Sequence, residues 1–74
     1  MGIKISVQMA IMSYLWDVQE LTAVASRECK EAAILRLNFV KRLVLTYPDT
    51  SVEVEEEELN EIWRKVAKDY GSTK

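Results

Sequence analysis

The apolar residues of this chain fall into two successive seams with the same spacing. Val7, Ile11, Tyr14, Val18, Leu21 and Ala25 recur in steps of four, three, four, three and four. Cys29, Ala33, Arg36, Val40, Leu43 and Tyr47 repeat those steps. Alternating threes and fours keep side chains on one face of an α-helix, so the seams predict two helices that bury these faces against something. Met9, Met12, Trp16 and Ala23 form a second apolar face on the first stretch, opposite the seam. A helix apolar on two sides needs neighbours on two sides.

How the two stretches join is the main ambiguity. "TAVASRECK" holds neither glycine nor proline, and Ser26 is its one reasonable N-cap. A single helix over residues 7–47 would run about 60 Å, which only a dimer could cover. An antiparallel hairpin turning near residues 25–28 buries more surface within one chain and is the preferred arrangement. It sets residue 36 roughly opposite residue 16, so Arg36, centred on an apolar seam, needs an acid from the first helix. Asp17 and Glu20 are the candidates for a buried ion pair; the alternative is that the guanidinium snorkels to water.

The end of the second helix is sharper. Pro48 disfavours helix at Tyr47, and "PDTS" supplies turn and cap residues. Thr50 with Glu53 fits a capping box for a third helix, whose Leu59, Ile62, Trp63, Val66 and Tyr70 share a face and which Gly71 would stop. Two short segments alternate instead: Ile3 to Val7 and Val52 to Glu55. They could pair, with Lys4 against a glutamate. Ser6 also fits as N-cap of the first helix. The expected fold is therefore all-α, a single helical domain over residues 1–74. It is an αα-hairpin plus a C-terminal helix, near residues 6–25, 27–47 and 52–70, with room for a short two-stranded ribbon from residues 3–7 and 51–55.

Length makes such a domain marginal. A 74-residue chain buries only about 60% of its unfolded surface, and one cysteine, Cys29, allows no internal disulfide. Self-association is then the natural supplement. Met9, Met12 and Trp16, together with Ile34 and Leu45 on the outer face of the second helix, exceed what so short a monomer hides easily. They are the candidate partner-binding residues. The partner expected is another protein or a second copy of this chain as a homodimer.

Other chemistries find less support. With no histidine there is no His-containing metal site, His-based general base or triad. Cys29 sits on an apolar seam, where an inert thiol is usual. Catalytic residues, metal ligands and cofactors are therefore not expected. Glu55 to Glu58 point in four directions on a helix, so they suit the positive end of the helix dipole better than a metal. Arg27, Lys30, Lys41 and Arg42 form a basic face on the second helix that suggests an alternative, a nucleic-acid-binding accessory protein. However, Glu28 and Glu31 interrupt it, and the whole chain carries a net charge of −2. "VQMAIMSYLW" spans ten residues before Asp17, half a membrane's thickness, so no membrane span is expected. "MGIKIS" matches the Met-Gly-x-x-x-Ser acylation pattern but reads as an ordinary start. A lone cysteine suits the reducing cytoplasm. The functional expectation is a small cytoplasmic, regulatory or assembly protein that works by binding.

Overall fold

The computed structural model describes residues 2–24 and 26–72. In chain order these form β1 (Lys4–Ser6), α1 (Val7–Thr22), α2 (Arg27–Thr46), β2 (Glu53–Glu55) and α3 (Glu56–Ser72). Helices α1 and α2 make the hairpin, and α3 packs along α2. The hairpin replaces the single long helix because the chain leaves helical geometry at Ser26. That residue is extended at φ −125° and ψ 139°, and its hydroxyl accepts from the Cys29 amide at 3.4 Å. Without a glycine the turn closes on backbone bonds, from the Val24 amide to the Leu21 carbonyl at 3.2 Å and from the Ser26 amide to the Val24 carbonyl at 2.9 Å. Ala25, expected on the first seam, lies outside the described residues.

The ribbon forms and caps the helices. β1 and β2 pair antiparallel, with Lys4 opposite Glu55, Ile5 opposite Val54 and Ser6 opposite Glu53. A two-stranded pair is marginal alone, but this one leads directly into two helix N-termini, where amides lack intrahelical partners. The Val7 amide donates to the Val52 carbonyl at 3.0 Å, Gln8 to Thr50 at 2.9 Å, and Glu56 to Ile3 at 2.8 Å. Ser6 adds its hydroxyl to the Met9 amide at 3.4 Å, so it is both a strand residue and an N-cap. This arrangement overrides the expected capping box. Glu53 is drawn into β2, Thr50 offers its carbonyl rather than its side chain, and α3 begins five residues later than the box implies. Gly71 does not stop α3, which continues to Ser72.

The core lies between the hairpin and α3. Ala10, Phe39, Leu43, Leu59 and Val66 form the buried cluster, with Ile5 and Val54 of the ribbon closing one end. Phe39 is at its centre. Its ring meets Tyr14 edge-on at 4.8 Å and Trp63 edge-on at 5.1 Å, while Tyr14 and Trp63 stack at 5.6 Å. One aromatic from each helix thus joins the three, in geometries that aromatic quadrupoles favour. The second helix ends at Thr46, before Pro48, and its Tyr47 amide still reaches the Leu43 carbonyl at 2.8 Å.

Candidate interaction surface

The outer face of α1 is bare. Met9 is 70% exposed, Met12 62% and Trp16 63%. Helix α3 could have covered them, but Trp63 turns instead to Tyr14 and Phe39 on the seam side. Their exposure follows from α1 having one intramolecular neighbouring helix of any extent, α2, where two apolar faces would need two. Trp16 is held by its own helix, its indole Nε1 donating to Glu20 Oε1 at 3.0 Å. That bond fixes the ring against the helix surface and presents a desolvatable, pre-ordered aromatic face.

The structure does not gather the five expected partner-binding residues into one patch. Met9 lines a cleft of about 470 Å³ where α1 meets α2 and the start of α3, together with Asp17, Arg36 and Glu56. Met12 and Trp16 lie along the outer edge of α1. Ile34 sits on the far side of α2, and Leu45 edges a separate groove of about 300 Å³ between α2 and α3, beside Val66 and Tyr70. Sequence reasoning missed Leu15, Leu37 and Val44, all substantially exposed. Leu37 and Val44 flank the second seam, and they stay open because α3 reaches only one side of the hairpin, which the periodicity does not signal.

Arg36 is answered by all three helices. Its Nη1 donates to the Ala32 carbonyl one turn back at 3.1 Å, and its guanidinium carbon lies 5.8 Å from the centre of the Trp63 ring. Asp17 Oδ2 stands 4.0 Å from Nε. That separation is too long for a hydrogen bond, and the enclosed Nε has no hydrogen-bond partner, so Asp17 acts through charge alone. The pair is not buried as expected, since the Arg36 side chain is 28% exposed and Asp17 46%. Glu20 does not join it, because its carboxylate is turned to Trp16.

The basic face of α2 is partly neutralised within the chain. Arg27 lies 3.8 Å from Glu31, and Arg42 lies 3.8 Å from Asp69 on α3. Lys30 and Lys41 are exposed. The first turn of α3 carries Glu56, Glu57 and Glu58 at the positive end of its dipole. Tyr47 faces Glu58, and burial together with that carboxylate raises the phenol's pKa above 10.0. In the turn before β2, Asp49 accepts from the Ser51 hydroxyl at 2.6 Å and its amide at 3.1 Å, which lowers its pKa below 3.8.

Among the described residues, no three Cys, Asp or Glu side chains converge to hold a metal ion, and no helix is long and apolar enough to cross a membrane. Cys29 is a free, half-buried thiol. No protein-family model, curated protein or solved structure matches the chain significantly.

Proposed function

We propose that this chain is a small cytoplasmic assembly or regulatory protein that acts by binding protein, itself included, through its exposed apolar helix faces, and performs no chemistry of its own. The observation that carries this reading is the bare Met9, Met12 and Trp16 face of α1. Aromatic and methionine side chains are enriched where proteins meet, and a tryptophan at such a site is the usual energetic anchor. The acidic start of α3 would favour basic partners by steering their approach. Trp16→Ala is expected to weaken self-association by about 2 kcal/mol in sedimentation equilibrium while far-UV helicity is retained. Loss of helicity instead would make Trp16 part of the fold and remove the anchor.

The nucleic-acid alternative rests on Arg27, Lys30, Lys41 and Arg42. Two of these already have acidic neighbours in the chain. A gel-shift titration at low salt, where phosphate contacts are strongest, is expected to show no complex; a shift that fades steeply with salt would favour the alternative.

A further inference from the structure

The turn between α1 and α2 is built from residues that break no helix. Residues 22–26 read Thr-Ala-Val-Ala-Ser, without glycine or proline, and no described residue of the chain has a positive φ. Ala23 is still helical, at φ −73° and ψ −18°. Its amide and that of Val24 donate to the Glu20 and Leu21 carbonyls three residues back, both at 3.2 Å. Among the described residues, the reversal therefore depends on Ser26, which turns extended and caps α2 through a long 3.4 Å contact to the Cys29 amide. Little in the sequence specifies such a turn.

A straight path is specified as well. Leu21, Ala25 and Cys29 follow one another in steps of four, so the apolar seam carries on through the turn on nearly the same face. Straightening would replace the Ser26 cap with helical bonds from the amides of residues 26–29 to the carbonyls of residues 22–25. Short turns held this weakly are where neighbouring copies exchange elements.

We infer that the chain has a second state, in which α1 and α2 join into one helix over residues 7–46 and the arm of β1 and α1 docks on α2, β2 and α3 of a second copy, which returns its own arm. This exchange goes beyond the exposed-face binding proposed above and does not rest on it.

The surface the arm leaves accepts a second copy because it already fits that arm. Lys4 opposite Glu55, Tyr14 against Phe39 and Trp63, and Asp17 beside Arg36 re-form between copies with the same partners. Within the described residues the turn is the one connection between arm and body, so no other segment has to move. The contacts of Tyr14 with Phe39 and of Asp17 with Arg36 set one antiparallel register. Extended along two joined helices, it puts their crossing at Ser26 and Arg27, with Val24 of one copy level with Cys29 of the other. Val24, 52% exposed at the hairpin tip, gains an apolar neighbour there. Closure within one chain wins at low concentration, because the turn holds the arm close to its own body. Release of the arm opens the core around Phe39, so the exchanged share is fixed on refolding and outlasts dilution.

Spin-label distances within one chain read the two states, with mass followed by light scattering. Gln8→Cys and Thr46→Cys, both at exposed positions, carry the labels in a Cys29→Ser background. This protein is unfolded and refolded with excess unlabelled protein at about 1 mM, then diluted. The hairpin holds the labels within about 20 Å of each other, since packed helices lie about 8–10 Å apart. The joined helix sets them about 57 Å apart. A dimeric fraction carrying the long distance is expected, with a share that Ser26→Ala raises about fivefold and Val24→Gly lowers by as much. A short distance throughout overturns the exchange, and if the mass is dimeric it leaves association through the exposed faces standing. A long distance in a monomeric fraction, or one whose share ignores both turn variants, also overturns it.

Discussion

Arg36 decides how the three helices meet. An arginine at the centre of an apolar seam is costly unless its charge is answered, and here the answer is divided: a carbonyl from its own helix, the Trp63 face from α3 and the Asp17 carboxylate from α1. No one of these is strong. The Asp17 contact is long and half-exposed, so the pair contributes less than about 1 kcal/mol. What remains for Arg36 is its aliphatic stem, largely out of water, and a cation–π contact at 5.8 Å from the Trp63 ring centre. Asp17→Asn is therefore expected to lower stability in urea by less than about 1 kcal/mol, and Arg36→Ala by about 2 kcal/mol. Equal losses for the two variants would place the charge pair above the packing. Periodicity alone located Arg36 and offered Asp17 and Glu20 as equals. What separated them was the Trp16 indole, which takes Glu20 and leaves Asp17 to the guanidinium.

At the scale of elements, the junction from α2 to α3 holds two groups whose titration the fold displaces, Tyr47 and Asp49. Tyr47 closes α2 beside Pro48 and faces Glu58 in the first turn of α3. Its pKa is raised in the folded state, so the contribution it makes is fully present below 10.0, the unfolded value. That contribution is lost as pH rises from there through the higher folded value. Tyr47→Phe is expected to lose less stability than the wild type over that alkaline window in urea titrations. Parallel curves would remove the ionisation of Tyr47 from the account. Asp49 works at the other extreme: its lowered pKa gives stability that is present above 3.8 and declines as pH falls through the folded value. The helices themselves were legible from the 4-3-4 spacing, from Ser26 and from Pro48. The start of α3 was not, because Thr50 and Glu53 satisfy a capping pattern equally well whether or not residues 3–6 are there to pair with. Strand pairing is a long-range choice, and no local pattern reports that the ribbon can supply three carbonyls to two helix ends.

The whole molecule is a core that works on one side only. α3 and the ribbon close over Phe39 and Leu43, while the far side of the hairpin and the outer edge of α1 stay apolar and open. Sequence reasoning found the surplus but not its shape. Met9, Met12 and Trp16 were visible as a second face. Leu15, Leu37 and Val44 were not, because exposure there depends on which side of the hairpin α3 occupies. On these open faces rests the proposal that the chain binds protein, a second copy of itself included. Light scattering across a wide range of concentrations tests this most directly. The account predicts a mass that rises with concentration to twice the chain's 8.5 kDa; a mass that stays at 8.5 kDa at every concentration would contradict it.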